Sequence, residues 1–192
     1  MIAIINYGVG NIRSVQNALR QIGAEAELTD DTERIERAEK VILPGVGEAG
    51  TAMRNLREKN LDVVIPGLKQ PVLGICLGLQ LMCRYSEEGD TDCLGIFDTE
   101  VKAFPKLEVV PHMGWNDLQN ARGNLFSEHW VPQDLYFVHS YAAALCNATT
   151  AVCDYIIPFS AALEKDNFYA TQFHPEKSAQ AGKQILQNFL NL

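Results

Sequence analysis

Cys76 stands between two glycines, in Gly74-Ile75-Cys76-Leu77-Gly78, where an apolar run starting at Pro71 gives way to a helical pattern. A nucleophile flanked by glycines at a strand-to-helix junction sits on a tight elbow. The nucleophile's own backbone is strained there, and side chains at the flanking positions would collide. The helix start favours thiolate over thiol. Its first free N–H, that of Leu77, points where an oxyanion would form. Two glycines would also serve an ordinary strand-to-helix turn, so the elbow becomes chemistry only if a base meets it.

The chain has four histidines. His112 precedes Met113-Gly114-Trp115, His129 lies in a polar stretch, and His139 lies inside an apolar strand, where a histidine is more often a satisfied core residue than a catalyst. His174 ends the strand Tyr169-Ala170-Thr171-Gln172-Phe173 and is followed by Pro175-Glu176. Residues i and i+2 at a strand end point to the same side. Glu176 can therefore hold one ring nitrogen of His174 while the other faces a thiol, which is the nucleophile, base and orienter logic in the order Cys, His, Glu. Pro175 restricts His174 to an extended conformation. Alone, the segment reads better as a surface His-Pro-Glu turn with no partner; together with the elbow, catalysis is the better explanation.

The elements that must bring these residues together alternate in the first half of the chain. An apolar run over residues 1–6 leads through Gly8 and Gly10 to helical spacing over 11–22, with Asn11 as N-cap and Gly23 as C-cap. Strands are expected over 24–28, 40–43 and 71–75. Helices are expected over 49–59, from Leu61 with Asn60 as its cap until Pro66-Gly67 cuts it short, and over 77–84. Such alternation calls for a parallel sheet covered on both faces. In the second half, segments near 98–104, 113–118, 135–141, 151–157 and 168–173 read as strands without long helices between them. Only 178–190, capped by Ser178, returns to helical spacing. The expectation is an α/β fold: a mixed central sheet, parallel in the middle, with an antiparallel extension. No linker or repeat divides the chain, so residues 1–192 read as a single domain.

Composition narrows the function classes. With 192 residues, 47% of them hydrophobic, the chain can bury a sizeable core. A formal net charge of −8 repels phosphate backbones, which argues against nucleic acid. No apolar run approaches the ~20 residues a bilayer span needs. Met1 to Ile5 run straight into a turn rather than through a basic-then-apolar leader, and a cytoplasmic protein is the expectation. The five cysteines are odd in number and none forms Cys-x-x-Cys, so neither disulfides nor zinc is expected. Cys83, Cys93, Cys146 and Cys153 read as small buried apolar residues.

The segments Gly74-Ile75-Cys76-Leu77-Gly78-Leu79-Gln80 and Gln172-Phe173-His174-Pro175-Glu176-Lys177-Ser178 resemble those of class I glutamine amidotransferases. Leu43-Pro44-Gly45-Val46-Gly47, Pro111-His112-Met113-Gly114-Trp115-Asn116 and Val138-His139-Ser140-Tyr141 narrow the resemblance to the glutaminase subunits of imidazole glycerol phosphate synthases, over essentially the whole chain. Leu79 stands where that pattern leads one to expect Met, a volume-conserving exchange. Pro66-Gly67 interrupts a segment expected to be helical in this family.

The resemblance implies a three-layer αβα fold of the flavodoxin-like type and hydrolysis of L-glutamine to glutamate and ammonia, with no cofactor and no metal. It implies Cys76, His174 and Glu176 as the triad. Leu77 supplies one oxyanion donor and Val46 or Gly47 the second. Gln80 and Glu88 hold the zwitterionic head of glutamine, with backbone help from Ser140 and Tyr141. The implied partner is a cyclase, a (β/α)8-barrel subunit that uses the ammonia to make imidazole glycerol phosphate in histidine biosynthesis. Asn11, Met113, Trp115, Asn116 and Lys177 are the candidate interface. Two other readings use the same scaffold. A non-catalytic regulatory subunit would typically have lost the nucleophile or the base, and both are present. A stand-alone cysteine hydrolase, such as a peptidase or γ-glutamyl hydrolase, is disfavoured by the Pro-His-Met-Gly-Trp-Asn string and by Glu88.

Overall fold

The structure is a computed structural model and describes residues 1–127 and 130–192; His129 lies outside them. In chain order come β1 (Ile2–Ile5), α1 (Ile12–Gln21), β2 (Ala26–Thr29), α2 (Thr32–Arg37), β3 (Lys40–Gly45), α3 (Ala49–Glu58), α4 (Leu61–Gly67), β4 (Val72–Cys76) and α5 (Leu77–Met82). Then follow β5 (Cys83–Ser86), β6 (Thr91–Asp92), β7 (Phe97–Ala103), β8 (His112–Asn116), β9 (Leu135–His139), β10 (Tyr141–Ala143), β11 (Thr149–Tyr155), β12 (Ile157–Lys165) and β13 (Phe168–Thr171). A 3-10 turn (Pro175–Lys177) and α6 (Ala179–Leu190) close the chain.

The main sheet has seven strands in the order β11-β12-β13-β4-β3-β1-β2. β2, β1, β3, β4 and β13 run parallel, and β12 and β11 add antiparallel at one side. Strand alternation sends successive side chains to opposite faces. Ile4, Ile42, Leu73 and Ile75 enter one core with Val15 and Leu19 of α1 and Ile185 and Phe189 of α6. Ala3, Ile5, Val41, Leu43 and Val72 enter a second core with Met53 and Leu56 of α3, Ile65 of α4 and Leu77, Leu79, Leu81 and Met82 of α5. The inner parallel strands β1, β3 and β4 read as nearly continuous apolar runs because both faces are covered, while the edge strand β2 carries Glu27 and is only partly buried. Among the described residues no helix is long and apolar enough to cross a membrane.

Several details depart from expectation. Not all second-half strands extend the main sheet: β10-β7-β5-β6 form a four-stranded sheet and β8-β9 a two-stranded one. The nine residues of β12 carry Pro158 and the small run Ser160-Ala161-Ala162, which has neither period, yet Phe159 to Leu163 are all buried between β11 and β13. α2 buries only Ile35, too little for a helical pattern to be read; Asp31 caps it by accepting from the N–H groups of Glu33 and Arg34. α5 stops at Met82 rather than Arg84 because Cys83 to Ser86 peel away to pair with β6 and β7.

The helix ends show the same mixture. Gly23 closes α1 with φ +78, its N–H reaching Arg20 O at 3.0 Å while the Ala24 N–H reaches Leu19 O at 3.0 Å. Asn11 and Asn60 occupy N-cap positions without a side-chain cap, and the Asn11 side chain instead accepts from Ser14 Oγ at 2.8 Å. Ser178 does not cap α6 either. Its hydroxyl donates to His174 O at 2.6 Å and accepts from the Tyr136 N–H at 2.9 Å, tying the segment after β13 to β9.

α6 meets the 3-10 turn at Gly182, where a Cβ would lie 1.9 Å from Pro175 O. Gly182→Ala must push the Pro175–Glu176 segment away. Overpacking of this kind costs about 1–3 kcal/mol, and we expect the urea midpoint to fall accordingly, with a loss of activity larger than that stability loss explains. An unchanged midpoint would show that the contact is not as close as described.

Candidate active site

The C-terminal ends of β3, β4 and β13 lie side by side on one edge of the parallel sheet, where open α/β sheets hold their ligands. Gly45 pairs with Cys76, and Ile75 with Thr171. Parallel register therefore sets Cys76 beside Gln172, with His174 two residues further along. Cys76 has φ 53 and ψ −105, a backbone conformation rare outside glycine. The glycines around it serve close approach. A Cβ on Gly78 would lie 2.0 Å from Leu43 O, and one on Gly74 would lie 2.9 Å from the Gly78 backbone and from the Met82 sulfur.

The candidate base and its candidate orienter are buried together. His174 Nδ1 and Glu176 Oε1 are 2.8 Å apart, and each side chain is 1% exposed. Since a carboxylate accepts, Nδ1 carries the proton of this bond. His174 Nε2 is buried without a hydrogen-bond partner among the described residues. Cys76 and His174 line the same cavity, and Cys76 raises the proton affinity of the imidazole. Burial opposes the imidazolium, but Cys76 and then Glu176 outweigh it, and the pKa of His174 is raised to about 9. The Cys76 Sγ is further held by the Gln172 side-chain amide, which donates at 3.6 Å, and lies 3.9 Å from Val138 O.

A cavity of about 370 Å³ opens over the thiol, lined by Cys76, Leu77, His174, Val46, Gly47, Gln80, Glu88, Ser140 and Tyr141. The structure thus brings the three triad candidates, the oxyanion candidates and the four substrate candidates to one place. Leu77 begins α5, so its N–H has no partner within that helix. With only six residues in α5, these local N–H groups matter more than a long helix dipole. The Val46–Gly47 loop is carried against them by Gly45, where a Cβ would lie 2.6 Å from the Leu77 Cβ. Tyr7 fixes the start of the loop by donating to Pro44 O at 2.6 Å, and burial pushes its pKa far upward, so it remains a donor.

Two substrate candidates are partly engaged within the protein. Gln80 Nε2 donates to Tyr141 O at 2.9 Å and to Gln172 Oε1 at 3.1 Å, leaving its own oxygen for other partners. Glu88 Oε2 accepts from the Ala49 N–H at 2.8 Å at the start of α3. Half-burial raises the Glu88 pKa, the Ala49 N–H works against this, and Glu48 nearby adds to the rise. A cationic group at its second oxygen would relieve that position. Gln172 and Val138 were not singled out in the sequence, although a glutamine two residues before His174 in an apolar strand was a usable signal.

The interface candidates divide. Met113 and Trp115 are exposed, at 63% and 54%, which excludes core packing for this Trp. Trp115 packs edge-on against Tyr136 at 5.8 Å, and Lys177 Nζ sits 5.5 Å from the centre of the same ring. Asn116, one residue on, faces the other side of β8 and reaches His112 and Asp154 O. Asn11 begins α1, which packs against the 3-10 turn. Among the described residues, no cluster of three or more His, Cys, Asp or Glu is arranged to hold a metal ion.

The model of the family described as glutamine amidotransferase class-I matches residues 3–192. A protein of Bacteroides fragilis (strain YCH46) named imidazole glycerol phosphate synthase subunit HisH is 58% identical over 194 residues, covering 100% of this chain and 99% of its own. The protein of that name from Pasteurella multocida (strain Pm70) is 47% identical over 191 residues, covering 98% and 96%. Among solved structures, a putative GMP synthase subunit from Thermoplasma acidophilum superposes with a TM-score of 0.75 at 19% identity, covering 99% of this chain and 92% of that one. PurLQS from Thermotoga maritima gives a TM-score of 0.74 at 17% identity, covering 99% and 97%, and like the first it speaks for the fold alone. The full-length matches agree with the elbow thiol, the buried imidazole and the shared cavity: this chain belongs to the class I glutamine amidotransferases, within the group of imidazole glycerol phosphate synthase HisH subunits.

Proposed function

We propose that the chain, as one amidotransferase domain, hydrolyses L-glutamine at Cys76 and hands the ammonia to a (β/α)8-barrel cyclase subunit that makes imidazole glycerol phosphate in histidine biosynthesis. The observation that carries this reading is the buried His174, tied to Glu176 on one side and open to Cys76 on the other. The raised pKa of His174 suits a thiolate–imidazolium pair. In the forward step the Cys76 sulfur forms a bond to the side-chain amide carbon of glutamine, and the carbonyl oxygen becomes an oxyanion. Collapse breaks the C–N bond, with the proton held on His174 passing to the leaving ammonia. A water then gives its proton to His174 and attacks the thioester, releasing glutamate and restoring the thiol.

The N–H of Leu77, with Val46 or Gly47, meets both oxyanions, and one such donor is worth about 3 kcal/mol. Glu88 takes the α-ammonium of glutamine and the Ser140–Tyr141 backbone its α-carboxylate. Gln80 braces that backbone. The cyclase docks on the exposed side of β8 and β9, where Met113, Trp115, Tyr136 and Lys177 form an aromatic patch with one cation, a composition typical of interface anchors. Asn11 adds to the rim.

Three measurements test the reading. Cys76→Ala in the reconstituted complex is expected to abolish glutamine-dependent synthesis and to leave ammonia-dependent synthesis intact; glutamate release by the variant would remove Cys76 as nucleophile. Trp115→Ala is expected to weaken binding of the barrel subunit by about 2 kcal/mol, roughly 30-fold in Kd, read by titration calorimetry, with equal affinity counting against this docking face. The third concerns pH. Because the folded pKa of His174 is raised to about 9 from 6.5, the folded chain holds a proton between those values that the unfolded chain has released. Stability from the pair is complete below about 6.5 and is lost as pH rises through about 9. Glu176→Gln should lower the His174 midpoint, followed by imidazole NMR, and flatten the decline of stability over that window. An unmoved midpoint would exclude Glu176 as the orienter.

A further inference from the structure

Two buried histidines outside the triad form a chain whose direction is fixed at both ends. His139 Nδ1 lies 2.8 Å from Tyr141 O, and His139 Nε2 lies 3.1 Å from His112 Nδ1. His112 Nε2 lies 3.4 Å from Asn116 Nδ2, which itself donates to Asp154 O at 3.3 Å. Carbonyl oxygens only accept. Tyr141 O therefore places a proton on His139 Nδ1, and Asp154 O turns the amide nitrogen of Asn116 toward the chain. A neutral imidazole has one N–H, so His139 Nε2 accepts, His112 Nδ1 donates, and His112 Nε2 accepts from Asn116. Each ring is then a Nδ1–H tautomer, and every nitrogen in the chain has a complementary partner.

The surroundings suit neutral rings. His112 is stacked between Tyr155 at 4.0 Å and Phe137 at 4.9 Å, and Phe104 and Phe159 flank His139. Burial holds His112 down at about 4 and His139 at about 3, and His112 and His174 both oppose a charge on His139. A hydrophobic pair would fill this space at lower desolvation cost, so the hydrogen bonds are the feature to be explained.

What the chain grips is the edge of the cavity. Ser140 O accepts from the Phe104 N–H at 2.9 Å, while Tyr141, opposite Ala103, is the next position along the β10–β7 ladder. In an antiparallel pair, alternate residues turn both backbone groups away from the partner strand. The Tyr141 carbonyl is turned away in this manner and is held by His139 and by Gln80. Its N–H is turned to the same side as this carbonyl, and Tyr141 lines the cavity.

We propose that His139, oriented by His112 and Asn116, is a positioning residue for glutamine binding: its Nδ1–H clamps the Tyr141 carbonyl so that the neighbouring backbone N–H meets the substrate α-carboxylate. This rests on the reading above that Ser140–Tyr141 receive that carboxylate. The clamp acts on binding rather than on the thiol, so its signature is in KM.

The test uses two variants and one spectrum, on the full chain with its cyclase partner. His139→Leu is expected to raise KM for glutamine tenfold or more while kcat stays within threefold. His139→Asn, whose amide can reproduce the Nδ1–H donor, is expected to recover most of the loss. A Leu variant with wild-type KM, an Asn variant no better than Leu, or a loss confined to kcat would each overturn the proposal. The spectrum stands even if the Leu variant does not fold. In 15N-histidine NMR of the unmodified chain at pH 6, both rings are expected to be neutral Nδ1–H tautomers, and a protonated ring or an Nε2–H tautomer at His139 would overturn the clamp. A wild-type chain that does not hydrolyse glutamine would instead refute the parent reading and leave the tautomer result standing on its own.

Discussion

The site depends on the parallel pairing of β4 with β3 on one side and β13 on the other. Gly45 opposite Cys76 and Thr171 opposite Ile75 bring three C-terminal strand ends into register. Each end delivers one part: β3 the Val46–Gly47 loop, β4 the thiol, β13 the imidazole. A slip of one residue in β13 would exchange the faces of all its side chains and carry His174 away from Cys76. Register is held because every residue of β4 and β13 is buried, with Leu73, Ile75 and Tyr169 committed to one core and Val72, Phe168 and Ala170 to the other.

Around this frame, close contacts replace side-chain flexibility. Gly45, Gly74 and Gly78 allow β3, β4 and α5 to approach within distances that a Cβ would forbid. The strain at Cys76 is of a kind that costs about 1–3 kcal/mol and persists only where packing over-determines it. That packing is present, since all six residues of α5 are buried. The buried His174 follows the same logic: desolvation disfavours its charge, and Cys76 and the bonded Glu176 beside it outweigh that cost.

The polar contacts continue beyond the three candidate triad residues into a connected network. Gln172 joins Cys76 to Gln80, Gln80 joins Tyr141, and Tyr141 joins the His139–His112–Asn116 chain. These groups come from β4–α5, the segment after β13, β10, β9 and β8, so the small two- and four-stranded sheets that depart from a simple layered fold are what close the cavity. On the outer side of β8, Met113 and Trp115 turn to solvent, while His112 on the inner side is buried. One strand thus serves both an exposed face and the polar interior.

The amino-acid sequence by itself determined the features that short-range geometry controls. Gly74 to Gly78 marked a tight strand-to-helix turn around Cys76, which pointed to chemistry only in combination with a base. His174-Pro175-Glu176 suggested an imidazole with an orienter through the strand rule that i and i+2 share a side; the pair forms, but Glu176 reaches His174 from a 3-10 turn rather than along a strand. Alternating apolar runs announced a parallel sheet with both faces covered. Only the tertiary structure decided which remote groups meet. No local pattern distinguishes β12, whose small residues acquire meaning between two neighbours, or shows that α5 ends early because Cys83 finds a strand partner. Nor could spacing reveal that Ser178 ties β9 to the turn after β13 instead of capping a helix, that Asn116 points inward while Trp115 points outward to solvent, or that His139, read as a satisfied core histidine, is satisfied by His112 and the Tyr141 carbonyl. Hydrogen-bond partners far apart along the chain are chosen by packing and register, and those quantities exist only in the folded state.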